Sequence, residues 1–463
     1  MKPIKDKIKH EYSTGNILAY SNAYFADVVA SQFVSFLLFT FYFTIVGLNI
    51  NWITLGFIFR SMWDLINNPL LGALSDRTTS KWGRRKPYII VGLIPTSILL
   101  IFLWLPPSGP DIIIFIYFLI IILLFEFFFN MYSLNTMALF PEMYQNLEER
   151  ARANNIVQII GIIALIFAYL APSIFIPNYT DSKYAVNYFY AGIFMAVIIA
   201  ITGGLFIKFG IKERLEYKKD TEIAPQILSS IKISLKNKAC RKNLVAYFTI
   251  YYVFGILPVI TPLYGRFVLN IENSFILSLL LGISFISAAI FTIFWRYVSL
   301  KFGVKDGMII ALITFIITLV PFMFINDIIG AFIAYFFVGI GISGAMFFRI
   351  IVASTIIDED ELNTGIRREG VYMGVLILMN RLTIIAVFLS ISLVFNIIGW
   401  SVFNPDLANE QTIFGLRSLM FIFPSLVLLI GILAMLRFPI NKERYDQIKK
   451  EIDRMHQEKK DRL

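Results

Sequence analysis

Arg60, Asp64, Asn67 and Asn68 recur at helical spacing inside an apolar run, so they share one face of a helix. Arg60 and Asp64 stand one turn apart and can neutralise each other. Pro69 removes a backbone donor just below Asn68, which frees a carbonyl that needs another partner. Two chemistries suit this pattern. One is a buried ion pair that holds two helices together. The other is a polar stripe along a water-filled cavity, where charged and amide groups meet a cation or a solute. A tight basic loop follows, SDRTTSKWGRRKP at 75–87, with Asp76, Arg77 and Arg84.

Other apolar runs carry similar intrusions. FADVVASQFVSF places Asp27, Ser31 and Ser35 on one helical face. A lone intramembrane acid needs water or a partner on another helix, and Arg60, Arg349 and Arg381 are the candidates. LLFEFFFNMYSLNTMALFPEM spaces Glu126, Asn130 and Ser133 at i, i+4 and i+7. Glu126 lies among phenylalanines and leucines, which makes it a candidate proton carrier; a solvated position near the outer interface is the alternative. Arg349 and Arg381 are deep in apolar sequence with no buried acid nearby, so Asp27, Asp64 and Glu126 are their natural counter-charges.

The turn IDEDELNTGIRREG, 357–370, sets Asp358, Glu359, Asp360 and Glu361 against Arg367 and Arg368. Salt bridges from this turn to basic loops at 75–87 and 296–306 are expected to close a gate; a merely soluble loop is the plainer reading. The gating set is Asp76, Arg77, Arg84, Arg150, Asp358, Arg368 and Glu369. No phosphate-binding glycine loop, metal-ligand cluster or nucleophile–base arrangement appears, so neither an enzyme nor a bound cofactor is expected. The glycines of 339–344 read as close helix packing.

The elements that must position these residues are membrane helices. The 463 residues are 58% hydrophobic and 16% charged, with a mean hydropathy of +0.73, a balance that requires apolar surface to face lipid. Spans of bilayer length fall at roughly 17–47, 52–74, 88–105, 112–140, 156–177 and 186–209. A second set falls at roughly 243–270, 274–299, 307–325, 328–357, 370–399 and 412–437. The expected fold is therefore an all-α membrane protein of twelve transmembrane helices. Its parts are a six-helix half, 1–209, a central loop, 210–242, a second six-helix half, 243–437, and a charged tail, 438–463, read as a solvated helix. A faint repeat of a basic loop with an aromatic–glycine pair, after spans two and eight, suggests two pseudo-symmetric halves. Part of the central loop, from Ile223 to Leu235, has helical apolar spacing and is expected either to lie on the membrane surface or to be a solvated linker.

Net charge is +10, but Lys and Arg crowd alternate loops, which argues for membrane topology and against nucleic acid. The bias places both termini in the cytoplasm of a multi-pass cell-membrane protein. The charged N-terminus and long first apolar run do not fit a signal peptide. Cys240 is the single cysteine, so no internal disulfide forms. His10 and His456 sit in the polar tails, which leaves proton chemistry to carboxylates.

WDLINNPLLGALSDRTTSKWGRRKP, PEMYQNLEERARAN and DEDELNTGIRREGVYMG together resemble motifs of the glycoside–pentoside–hexuronide:cation symporters, the melibiose-carrier family of the major facilitator superfamily. The resemblance covers most of the chain and implies alternating access with Na⁺- or H⁺-driven uptake. By position it assigns a cation site to Asp64, Asn67, Asn68 and Asn130, with Asp64 and Asn68 as ligands if the metal is Na⁺. It assigns a substrate site to Asp27, Ser133, Gln158 and Arg381. The family usually has a second acid where Asn68 stands; an amide oxygen still ligates Na⁺ but adds no charge. Glu126, one turn from Asn130, is expected to offset that loss as a further cation-binding residue. Sugar-transporting members can carry an acid and an arginine where Ser133 and Gln158 stand. The function implied is import of a small polar solute, a sugar or glycoside, by cation symport in a monomer whose other contact is membrane lipid. An uncoupled facilitator, a lysolipid-type carrier and a non-transporting membrane sensor are the alternatives.

Overall fold

The computed structural model describes residues 12–78, 80–144, 147–212 and 227–461. Among them every regular element is helical. Among the described residues nine helices are long and apolar enough to cross a membrane. Large side chains such as Ile66, Ile293, Ile397 and Leu433 point outward, which suits a surface solvated by lipid. The protein is a multi-pass membrane protein.

The first helices are α1 (Thr14–Thr40), α2 (Ile50–Asp76), α3 (Lys86–Phe102), α4 (Asp111–Met143), α5 (Leu147–Leu170) and α6 (Ala185–Leu205). α1 packs on α5 and α6, α3 on α4 and α6, and α2 on α4. α2 is long enough to cross a membrane, but the polar residues in its middle keep it out of the nine; it stays helical through Pro69.

The next group is α7 (Ile227–Lys236), α8 (Lys238–Phe267), α9 (Ser274–Leu319), α10 (Ile328–Thr364), α11 (Glu369–Ile397), α12 (Glu410–Arg417), α13 (Phe423–Leu436) and α14 (Lys442–Asp461). α8 packs on α11 and α13, and α9 on α10 and α13. α12 and α13 are joined by a π turn, Ser418–Ile422. The two groups meet where α1 touches α8, α2 touches α11 and α5 touches α9.

Three expectations change. The basic loop expected at 296–306 is not a loop: α9 runs from 274 to 319 and turns at one residue, Gly303, with φ 79°. Only glycine adopts that conformation without strain, so one residue does the work of a connection. The central segment is neither free nor lying apart on lipid where it is described. α7 packs on α8 and α11, and Ser234 is fully buried; residues 213–226 of the expected central loop lie outside the described residues. The tail is helical, as expected, but α14 is docked on α10 and α9. Ile448 and Ile452 are buried, His456 meets Glu361 at 3.1 Å, and Lys442 Nζ donates to the carbonyl of Lys301. An apolar stripe every three to four residues, Tyr445, Ile448 and Ile452, explains the docking.

A Cβ at position 303 would lie 2.9 Å from that of Lys442. Gly303→Ala is therefore expected to cost about 1–2 kcal/mol and to lower the melting temperature in detergent. An unchanged melt would show that the kink does not need glycine.

Candidate functional site

The site begins with six ionisable side chains held deep inside the helices. Asp27 comes from α1, Arg60 and Asp64 from α2, Glu126 from α4, Arg349 from α10 and Arg381 from α11. Arg60 and Asp64 do not neutralise each other as their spacing allows. Each turns to another helix. Arg60 pairs with Glu126, and both are buried. Asp64 Oδ2 lies 2.8 Å from Arg381 Nη1, and Asn130 Nδ2 donates to Asp64 Oδ1 at 2.6 Å. The partners differ because α4 and α11 flank α2 on two sides and each brings an opposite charge to a different rung.

Asp64–Arg381 belongs to a ladder between α2 and α11. Asn51 bonds Ser392 and Asn396, and Thr54 Oγ1 donates to the carbonyl of Phe388 at 3.3 Å. Phe57 stacks on Phe388 with ring centres 3.6 Å apart and planes 7° apart. The ladder runs from the start of α2 and the end of α11 down to Asp64 and Arg381. Among the described residues no hydrogen bond or ion pair continues it toward Asp76 and Glu369. The same end is sealed elsewhere: Ile50 N donates to the carbonyl of Ser401 at 2.8 Å, and Tyr179 bonds Ser278 at 2.7 Å.

A cavity of about 160 Å³ lies beneath the Phe57–Phe388 stack. Both helix groups line it, with Gln32, Ser35, Arg60 and Tyr169 on one side and Tyr251, Asn380 and Thr383 on the other. Tyr169 donates to Gln32 Oε1 at 2.9 Å. Aromatic faces with a few amides and hydroxyls are the lining expected of a pocket for a small polar molecule. Gln32, Tyr169, Tyr251 and Asn380 were not among the residues picked from sequence. Gln32 and Asn380 sit in stretches singled out for Asp27 and Arg381, and polar side chains in an apolar run are the signal that finds them.

The expected cation and substrate residues fall as follows. Asp64 and Asn130 are bonded to each other. Both polar atoms of the buried Asn67, and Oδ1 of Asn68, have no hydrogen-bond partner. Glu126 is engaged by Arg60 and not by an amide of the α2 stripe. Asp27 is half-buried beside the Ser133 hydroxyl, and its Oδ1 has no partner. Gln158 is exposed on α5, with no hydrogen bond to it found among the described residues. Arg381 sits at Asp64. A Na⁺ at Asp64 would find the carboxylate already facing a guanidinium, while the unbonded oxygens of Asn67 and Asn68 are the donor type that Na⁺ accepts.

Among the described residues, no ion pair joins the turn at 357–370 to the loop at 75–87, so the expected gate is not seen there. Each makes its ion pairs within itself or with an adjoining helix end. Asp76 meets Arg85 at 2.7 Å and Arg84 meets Glu142 at 2.6 Å, tying 75–87 to the end of α4. Arg150 caps the same helix end, donating to the carbonyl of Tyr144 at 2.8 Å. Arg77 is exposed. Asp358 and Glu369 both meet Arg367, and Arg368 holds Asp360 with Nη2–Oδ1 at 2.5 Å. That carboxylate holds the Arg368 proton more firmly and raises its pKa. The physical reason is local supply, because each loop contains or adjoins its own opposite charges.

Residues 19–442 match the family model described as MFS/sugar transport protein. The chain belongs to this family. It is 33% identical over 144 residues to the uncharacterized symporter sll1374 of Synechocystis, a match covering 30% of this chain and 26% of that protein's length. It is 22% identical over 372 residues to the isoprimeverose transporter of Lactiplantibacillus pentosus, covering 76% of this chain and 74% of that one. The crystal structure of the nucleoside transporter NupG has the same fold, with a TM-score of 0.68 at 16% identity, covering 91% of this chain and 99% of that chain.

The two buried ion pairs predict non-additive mutations. Arg381→Gln alone strands a buried carboxylate and should cost about 3–5 kcal/mol, as should Asp64→Asn alone. The double variant removes both charges and should melt closer to the parent protein. Equal, additive losses in a thermal unfolding assay would show that the pair does not exist in the membrane.

Proposed function

We propose that the protein is a secondary active transporter that takes up a small polar solute, of sugar or glycoside type, by symport with Na⁺ or H⁺. The single observation that carries this reading is the Asp64–Arg381 pair, an ion pair between the two helix groups, one turn along α2 from Arg60 and next in sequence to Asn380, both of which line a shared aromatic and amide cavity. The family description and the names of its relatives support a sugar-like solute.

In this reading the helices make twelve crossings in two six-helix halves, with α9 counted as two at Gly303 and both termini on the cytoplasmic side. The positive loops at 75–87 and 365–368 then mark the inside. The ladder from Asn51–Asn396 to Asp64–Arg381 closes the outside and no ion pair among the described residues latches the two cytoplasmic loops together, which supports an inward-facing state. A cation arriving at Asp64 competes with Arg381 for the carboxylate. If it wins, the last rung of the ladder is released and α2 can part from α11. That is how cation binding biases the exchange between inward- and outward-facing states. The loss of a second acid at Asn68 is consistent with a site whose partner charge is supplied by an arginine.

Two experiments test this. Counterflow of labelled solute in proteoliposomes, with and without an imposed Na⁺ or pH gradient, should show accumulation that Asp64→Asn abolishes while leaving exchange; absence of any exchange favours a sensor. Bridging Asn51→Cys to Asn396→Cys with a short bifunctional thiol reagent should stop counterflow, and a cleavable bridge should restore it on reduction. The native Cys240 is buried and does not compete. Full transport by the bridged protein would remove alternating access from the account.

A further inference from the structure

A second seam joins the two helix groups, between α5 and α9, and it is built differently from the ladder between α2 and α11. Ser274, Ser278 and Phe285 share one face of α9. Ser274 N donates to the carbonyl of Pro177 at 3.0 Å, and Ser278 meets Tyr179 at 2.7 Å. The inner end is aromatic. Phe285 stacks on Tyr169, with ring centres 5.6 Å apart and planes 7° apart. Among the described residues no ion pair crosses this seam, so a cation finds no charge to contest there.

Tyr169 faces two ways. Its ring meets Phe285 across the divide, and its hydroxyl donates to Gln32 Oε1 on α1 at 2.9 Å. Phe36, one turn after Gln32, meets the same ring edge to face, at 5.2 Å and 87°. Gln32 and Tyr169 both line the central cavity, as does Phe254, which meets Phe285 edge to face at 5.8 Å. With its oxygen committed to Tyr169, the Gln32 amide has Nε2 left to donate, and that nitrogen makes no hydrogen bond among the described residues. A hydroxyl or ring oxygen of a solute in the cavity is the acceptor it fits.

We infer that Tyr169 is a positioning residue that makes closure of the outer side depend on the solute. A solute oxygen bound by Gln32 Nε2 fixes the amide, the amide fixes the Tyr169 ring, and the fixed ring seats Phe285 and closes α5 on α9. This rests on the carrier reading above and assigns one step of it to named residues. The gain is not the stack itself, since rings lose little on parting into an aromatic cavity. It is the prior ordering of a ring that would otherwise have to be ordered at closure. The two seams then answer to different ligands. A cation at Asp64 takes the carboxylate from Arg381 and weakens α2–α11. A carrier holding the cation alone lacks that rung and stays open outside. Solute at Gln32 strengthens α5–α9 and offsets the loss. The empty and the doubly loaded carrier close, the cation-only carrier does not, and the cation is not carried without solute.

The test labels one cysteine at the seam. Ser278 is fully buried in this conformation, so Ser278→Cys in the full-length protein reports opening. Right-side-out vesicles are treated with a membrane-impermeant maleimide, with Na⁺ present at acid pH so that either coupling ion is supplied. The probes are D-glucose, D-galactose, D-xylose and their methyl β-glycosides. At least one should slow labelling about fivefold, the factor that one net hydrogen bond supplies. Tyr169→Phe keeps the ring and loses the hydroxyl. It should label about fivefold faster without sugar and lose the sugar's effect on labelling, while the sugar still raises its melting temperature. Gln32→Met should label as fast, and the double variant no faster than either single one, because both act through one bond. Size-exclusion profiles confirm folded protein. If no probe slows labelling of the parent reporter, if Tyr169→Phe keeps the sugar's effect, or if the double variant adds the two losses, the inference fails. Counterflow of a probe that leaves parent labelling unchanged would overturn the role of Tyr169 and leave the carrier reading intact. No counterflow of any probe would remove both.

Discussion

A charge inside a lipid bilayer must find an opposite charge or water, and this one constraint organises the interior of the molecule. Leaving a single charged side chain at the centre of a bilayer costs about 3 kcal/mol on insertion scales, and more where no water reaches it. Six such groups lie within the helices. Four resolve into two cross-helix pairs, Arg60 with Glu126 and Asp64 with Arg381. The first pair ties α2 to α4 inside one helix group. The second ties α2 to α11 across the divide. The same physics makes one pair a fixed brace and the other an exchangeable contact, because only the second joins bodies that alternating access would have to separate.

The ladder between α2 and α11 shows how that contact fits the larger architecture. Its rungs change character along the helix, from amide pairs at Asn51 and Asn396, through the stacked rings of Phe57 and Phe388, to the ion pair. Stacked rings lose little on separation into an aromatic-lined cavity. An ion pair loses a great deal unless each charge is compensated. The energetic difference between the closed and open forms of this seam is therefore concentrated at one rung, where a small ligand can act. At the opposite end acids and arginines of 75–87 and 357–370 find partners within their own neighbourhoods, and no ion pair among the described residues joins the two loops.

The sequence made the class of fold legible because bilayer-length apolar runs and the bias of Lys and Arg are strong, local signals. It also made the buried charges legible, since Asp27, Asp64, Glu126 and Arg381 each interrupt an apolar run. What it did not show was who pairs with whom. Arg60 and Asp64 are one turn apart, and spacing alone pairs them, but spacing carries no information about α4 and α11. The same blindness placed a gate between two loops that make their ion pairs locally. The Gly303 turn was hidden for a different reason. A basic stretch between two apolar runs reads as a loop, whereas a single left-handed residue inside a helical path does the same job. Gln32 and Asn380 were passed over because an uncharged amide stands out less than an ion.

Asn68 is intelligible in these terms. An acid there would add a fourth negative charge to a region holding three acids and three arginines, and α2 would then carry two neighbouring carboxylates with only Arg381 opposite. An amide keeps an oxygen available, and that of Asn68 has no partner, without disturbing the balance. The departure from a two-acid site and the presence of Arg349, which no acid among the described residues neutralises, are two parts of one charge arrangement.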